Sequence, residues 1–244
     1  MRRRYHTRRV TRRLARGPTP RLASQAWARA FACVLGVALA AACGGDEPAI
    51  ESPTAASADF RWPEGPRATA VITTRDHGEI RVALYPEFAP LAVKQFEKLA
   101  GEGFYDGVTF HRVIPGFMIQ GGDPLSRDDD PRNDGQGGPP GAPLPDEFSA
   151  APFERGAVAM ANSGRPNSGG SQFFIVDGET RDLDGRYSLF GRVSEGLETV
   201  DAIAAVATDA GGRFGPAHRP IESVVIEQIR VEPAEPAETR SPSR

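Results

Sequence analysis

Between residues 68 and 231 the apolar residues come in short runs, and this punctuation restricts the available folds more than any other feature. Eight runs (ATAVITT, EIRVAL, VTFHRVI, GFMIQGG, GAVAMAN, SQFFIVD, SLFGRV and IESVVIEQIRV) are rich in β-branched and aromatic residues and are separated by glycine, proline or polar turns. The first two, joined by Arg75-Asp76-His77-Gly78, predict a hairpin. Only two segments carry a helical period. One starts at Pro90, with Ala92, Phe96, Leu99 and Ala100 on one face up to Gly101; the other is GLETVDAIAAVA, with Leu197, Val200, Ile203 and Ala204 aligned. Many short strands and two helices predict a mainly β domain, a closed antiparallel barrel with its ends capped by helices.

The rest of the 244 residues is not domain-like. Residues 1–42 contain ten arginines and no acid, which leaves 19 basic and 32 acidic residues for the remainder, a net charge of −13. So acidic a body repels phosphate backbones, so no nucleic-acid partner is expected. The basic stretch followed by AFACVLGVALAAAC has the order of an export signal, and the apolar run is shorter than the ~20 residues of a membrane span. The junction LAAAC-GGDE resembles a bacterial lipobox, with Cys43 as the acylated first residue of the mature chain. Ala40 stands where that pattern usually has Leu, and Leu39 is one place early, so ordinary signal cleavage is the alternative. TRRLA at 11–15 faintly resembles a twin-arginine signal. Residues 1–42 are therefore read as a lipoprotein-type signal peptide, 43–67 as a flexible tether, 68–231 as the domain and 232–244 as a solvated tail. The expected location is the cell envelope, lipid-anchored and facing the periplasm, or soluble periplasmic or secreted if Cys43 is not acylated.

The chemistry is limited by what is missing. With Cys33 in the signal, Cys43 is the only mature thiol, so the domain has no disulfide, thiolate nucleophile or zinc–thiolate site. No serine sits in a nucleophile elbow, and His6, His77, His111 and His218 show no ligand spacing. DDDPRNDG at 128–135 lacks the oxygen positions, glycine and glutamate of a calcium loop, and GQGGPPG lacks the Lys-Ser/Thr of a phosphate loop. No metal and no cofactor are expected. His111 reads as a packed or turn-bonded imidazole.

Within FHRVIPGFMIQGGD, strand alternation puts Phe110, Arg112 and Ile114 on one face and His111 and Val113 on the other. Met118 pairs with Gln120 in the return strand, and Gln172 with Phe174 in SQFFIVD, which leaves Phe173 for the core. Arg112, Met118, Gln120, Gln172 and Phe174 are thus predicted to share a patch with an apolar floor and hydrogen-bonding rims, a chemistry suited to a peptide. Alternation points Phe117 away from it.

The blocks GFYDGVTFHRVIPGFMIQGGDP, PDEF, RGAVAMAN, GSQFFI, LDGRYSLFGRV and GLETVDAI, in this order, resemble the cyclophilin family of peptidyl-prolyl cis-trans isomerases over the whole domain. The resemblance implies an eight-stranded barrel with two capping helices that isomerises X-Pro bonds without covalent chemistry or cofactor. It implies catalytic roles for Arg112, Gln120 and Phe117, and a proline pocket of Phe117, Met118, Phe174 and Leu183. It also implies peptide contacts from Gln120, Asn162 and Gln172, with Ala161 in the adjoining groove and Tyr187 at the pocket edge. Phe117 enters that pocket if the strand bulges at Gly116. The implied partners are proline-containing polypeptides, and the implied state is a monomer on a lipid anchor. The chain departs from the pattern at four places. Asp182 replaces a frequent Trp, which should weaken binding of cyclosporin-like cyclic peptides. Tyr187 replaces a pocket-edge His. The loop from Pro124 to Pro145 is longer and more acidic, and VKQF lacks the usual Asn before Phe96.

Overall fold

The computed structural model describes residues 60–213 and 215–233. The segment read as a signal peptide, Cys43, most of the segment read as a tether and the tail beyond Pro233 lie outside the described residues. In chain order the elements are β1 (Ala68–Thr74), β2 (Gly78–Leu84), α1 (Pro90–Gly101), β3 (Arg112–Ile114), β4 (Met118–Gly121), β5 (Ala157–Met160), β6 (Phe173–Val176), β7 (Leu189–Glu195), α2 (Leu197–Ala204), β8 (Thr208–Asp209), β9 (Arg219–Pro220) and β10 (Ile226–Pro233).

Eight strands form one antiparallel sheet in the order β10-β1-β2-β7-β5-β6-β4-β3, and β8 and β9 make a small separate ribbon that the sequence did not suggest. The sheet curls into a half-barrel whose ladder ends at β10 and β3. A closed barrel was predicted, but residues 108–111 leave strand geometry before β3 begins. There the two ends meet through a single bridge, Thr109↔Val225, flanked by Phe110 N donating to Val224 O (2.9 Å) and Ile226 N to Val108 O (2.8 Å). The same irregularity moves Phe110 off the face of Arg112. It is fully buried in the main core, edge-on to Phe173 at 6.2 Å.

Both helices pack where their apolar stripes require. α1 buries Ala92, Val93, Phe96, Leu99 and Ala100, and α2 buries Thr199, Val200, Ile203 and Ala204, with Leu197 only partly covered. Pro90 opens α1, but the preceding Ala89 has no capping side chain. Glu147, far along the chain, takes that role: its carboxylate accepts from the backbone N of Leu91 (3.0 Å) and Ala92 (2.9 Å), placing negative charge at the helix's positive end.

Strands β4, β5 and β6 are buried on both faces. Ile119, Val158, Met160, Phe173 and Ile175 join the main core, where Phe96 meets Tyr105, Phe173 and Phe190 at 5.1–5.5 Å between ring centres. Met118, Ala157, Ala159, Phe174 and Val176 face the other way, into a smaller cluster with Phe153, Leu183 and Leu189. Two boundaries move relative to the sequence reading. Phe60 and Trp62, placed in the tether, pack with Tyr85 and Phe88, and Arg192 lies 5.1 Å over the Trp62 ring. Glu232 and Pro233, placed in the tail, complete β10, where Glu232 pairs with Arg81 at 2.8 Å.

Candidate active site

Strand register assembles the site on the smaller cluster. β3 pairs with β4 so that Arg112 faces Gln120, and β4 pairs with β6 so that Gln120 faces Phe174. Three side chains from distant positions thus form one row. The next row is Ile114, Met118 and Val176.

Phe117 reaches the pocket by a turn, not by the bulge predicted at Gly116. The β3–β4 register runs without a shift, and Ile114, Pro115, Gly116 and Phe117 close a turn with Phe117 N donating to Ile114 O at 3.0 Å. Gly116 has φ +72°, as the third position of a proline-led turn requires. A residue in a turn is released from strand alternation, which is why the alternating pattern misdirected Phe117. The turn is held by Asp177: Gly116 N donates to its carboxylate at 2.7 Å, and Asp177 N donates to Phe117 O at 2.9 Å. A Cβ on Gly178 would lie 2.2 Å from the Gly116 carbonyl oxygen, so that position must stay glycine.

The result is a cavity of about 90 Å³. Phe117, Met118, Phe174 and Leu183 supply its apolar wall, and Arg112, Gln120, Ala161, Asn162 and Tyr187 its remaining lining. Tyr187 stands edge-on to Phe174 at 5.2 Å, and Phe153 stacks behind Phe174 at 6.1 Å. Leu183 ends a single 3-10 turn, Arg181–Leu183, whose following residue Asp184 accepts from Phe153 N at 2.8 Å. Phe153 and Gly178 lie outside the periodic runs, marked only by neighbouring prolines and glycines, and Asp177 closes the run SQFFIVD but acts on a turn about sixty residues away, which no local pattern encodes.

Arg112 is half-buried and has no carboxylate within ion-pair distance among the described residues. One guanidinium nitrogen donates to Gln120 Oε1 at 3.3 Å and lies 3.9 Å from Met118 Sδ. Burial lowers its pKa from the ordinary guanidinium value, and Tyr187 opposes this slightly. Gln120 Nε2 in turn donates to Gln172 Oε1 at 2.9 Å. Gln172 is not part of the small cavity. It lines an adjoining groove of about 310 Å³, walled on one side by the loop Gly135–Pro139 and on the other by Asn162, Ser163 and Ser168–Gly170. Asn162 is already engaged, donating to Arg186 O (3.4 Å) and accepting from Gly164 N (3.1 Å).

His111 lines neither cavity. It is buried, and among the described residues neither ring nitrogen makes a well-formed hydrogen bond, although the Thr109 backbone and the Gln172 side chain lie close enough to favour its charged form. Burial pushes its pKa down to about 4, with the nearby Asp123 carboxylate opposing the shift. In the GGD that closes the motif, a Cβ on Gly122 would lie 2.4 Å from the Ser171 carbonyl oxygen. Asp123 caps the turn Pro124–Arg127 by accepting from Leu125 N at 2.8 Å. The acidic loop bonds to itself: Asp128 accepts from Asp130 N (2.7 Å), and Asp130 pairs with Arg132 (2.7 Å).

Residues 69–231 match the family model described as cyclophilin type peptidyl-prolyl cis-trans isomerase/CLD. A probable peptidyl-prolyl cis-trans isomerase of Brucella suis is 44% identical over 154 residues, 62% of this chain and 75% of that protein. Peptidyl-prolyl cis-trans isomerase B of Bacillus subtilis is 48% identical over 132 residues, 53% of this chain and 86% of that protein. Among solved structures, a cyclophilin type isomerase of Cryptosporidium parvum superposes with a TM-score of 0.61 at 32% identity, covering 69% of this chain and 99% of its own. The same protein has also been solved in the presence of the dipeptide Ala-Pro. The family model, these relatives and the shared fold agree, and the chain belongs to the cyclophilin-type peptidyl-prolyl cis-trans isomerases.

Proposed function

We propose that this isomerase acts on X-Pro bonds of exported polypeptides at the cell envelope, with Arg112 as the donor that stabilises the twisted amide. The barrier is set by amide resonance, about 18–20 kcal/mol, while the cis and trans forms differ by only about 0.5–1 kcal/mol. Catalysis therefore means favouring the rotated state over both planar ones. The wall of Phe117, Met118, Phe174 and Leu183 holds the proline ring while the preceding carbonyl turns. Loss of resonance leaves a lone pair on the proline nitrogen, and a guanidinium N–H aimed at it is a preorganised electrostatic stabiliser. Gln120 orients Arg112, while Asn162 and Gln172 hold the peptide beyond the ring.

The observation that carries this reading is the state of Arg112: a half-buried guanidinium beside an apolar pocket, bonded to Gln120 and paired with no carboxylate among the described residues. Only one of its guanidinium nitrogens is engaged among these residues, by Gln120 Oε1 and Met118 Sδ, and the remaining donors are kept for a ligand. The test is the rate of cis–trans exchange of an Ala-Pro peptide with Arg112→Ala and Arg112→Lys. Both variants are expected to keep the fold, and alanine to lose most of the turnover. Binding of the peptide without accelerated exchange in the wild type would point to a docking module instead.

Placement at the envelope rests on the order of the N-terminal segment and on Cys43. Intact mass of the envelope-extracted protein tests it: loss of residues 1–42 plus an acyl mass supports the anchor, and cleavage without acylation supports the soluble alternative. We also propose a monomer that binds cyclosporin-like cyclic peptides weakly, because Asp182 offers a carboxylate where a stacking indole would serve.

A further inference from the structure

The polar chain behind Arg112 has a fixed direction, and its origin is the long loop. The carbonyls of Gly135 and Gly137 are acceptors only, so Gln172 must turn its Nε2 towards them, at 3.0 and 2.8 Å. That leaves Gln172 Oε1 for Gln120 Nε2, and leaves Gln120 Oε1 for Arg112, which can only donate. If the two carbonyls withdraw, either amide can reverse, and Arg112 then faces an NH₂ group.

Two contacts hold the loop. Gly137 N donates to Asp123 Oδ2 at 3.2 Å, and a Cβ on Gly137 would lie 2.2 Å from Asp123 Oδ1. At the other contact Arg219 Nε donates to Asp134 Oδ2 at 2.6 Å, with the Asp134 side chain only 2% exposed. Arg219 lies in β9, and the backbone carbonyl of its neighbour His218 accepts from Val113 N in β3 at 2.9 Å. The circuit therefore closes on itself. It runs from β3 to β9, across the ion pair to the loop, through Gln172 and Gln120, and back to Arg112 on β3.

We propose that the Asp134–Arg219 ion pair is a positioning device for the isomerase site, fixing the loop register that orients Gln172, Gln120 and Arg112; this rests on Arg112 being the catalytic donor. A buried ion pair contributes little net stability relative to an apolar pair of the same size, but it fixes register well. The acidic extension of the loop is then part of the catalytic apparatus, not a solvated insertion.

The test uses the full chain and an Ala-Pro peptide, with exchange followed by NMR. The double variant Asp134→Asn/Arg219→Gln removes both charges, and Asp134→Glu keeps the charge while lengthening its arm. Turnover is expected to fall about tenfold in the double variant, with KM changed less than about twofold, and to fall by a smaller factor in Asp134→Glu. The side-chain amide resonances of Gln120 and Gln172 should lose their dispersion in the double variant. Val200→Ala, in α2 and away from the circuit, serves as a control of comparable melting temperature and should keep wild-type turnover. The proposal is overturned if the double variant, or Asp134→Glu should the double not fold, turns over at the wild-type rate with both amide resonances unmoved. It is equally overturned if Val200→Ala loses as much turnover. Arg112→Ala, measured alongside, separates the two claims. If it is inactive while the loop variants are unaffected, only the positioning role fails; if it retains its rate, the reading of Arg112 fails as well.

Discussion

Strands β4, β5 and β6 present alternate residues to two environments, and the contrast shows what turns a packed surface into a site. On one face Ile119, Met160, Phe173 and Ile175 are closed over by α1 and by the rings of Phe96, Tyr105 and Phe190. On the other, Met118, Ala159, Phe174 and Val176 have similar apolar character, but the cover of Leu183, Phe117 and Tyr187 stops short. What remains open is a proline-sized recess with one guanidinium beside it. Both faces use the same alternation; the second differs in its incomplete cover and in Arg112, which has no carboxylate partner among the described residues, and the proposed mechanism rests on these two differences.

Adjacent phenylalanines sharpen this contrast most. Phe173→Ala should cost about 3–5 kcal/mol in urea unfolding, the loss expected for a fully buried ring. Phe174→Ala, one residue on and nearly as buried, should cost less stability because the void it leaves joins the adjoining recess, but most of the turnover. Equal stability losses with unchanged exchange rates would erase the distinction between the faces. The next effect belongs to His111, buried beside the core. In the native state it accepts a proton only near pH 4, whereas in the unfolded chain it does so near 6.5, so the native state binds fewer protons between these values. Its stabilising contribution is thus present above pH 6.5 and lost as pH falls through this window, about 3 kcal/mol in all. Urea midpoints at pH 7 and pH 4 should show this loss in the wild type and not in His111→Gln.

Smaller effects test the pocket's borders. Gly178→Ala sets a methyl against the Gly116 carbonyl oxygen and should cost about 2 kcal/mol while raising KM, because the turn carrying Phe117 must shift. Trp62→Ala removes edge contacts with Phe60 and Phe88 and the Arg192 cation, for about 1 kcal/mol by calorimetry with exchange unaffected.

What could be read in the sequence follows from the physics of each signal. Period two placed Phe173 in the core and grouped Arg112, Gln120 and Phe174, because strand alternation is a local rule. Period 3.6 found the buried stripes of both helices for the same reason. Phe110 and Phe117 were misdirected where the chain leaves strand geometry, at residues 108–111 and at the Pro115–Gly116 turn. The lone bridge Thr109↔Val225 between the sheet's ends, the Glu147 cap on α1 and the Asp134–Arg219 pair join residues far apart in sequence, and no periodicity encodes them. Leu183, Ala161, Asn162 and Tyr187 came from family resemblance; nothing in their spacing indicates a pocket.

The central claim is that a guanidinium beside an apolar recess drives the rotation. It is tested most directly by magnetisation-exchange NMR on an Ala-Pro peptide with wild type and Arg112→Ala at equal concentration, both first shown to be folded. The account predicts rapid cis–trans exchange with the wild type and a loss of about 10²-fold or more in the variant, the scale of removing one preorganised donor. Exchange in Arg112→Ala at the wild-type rate would contradict it.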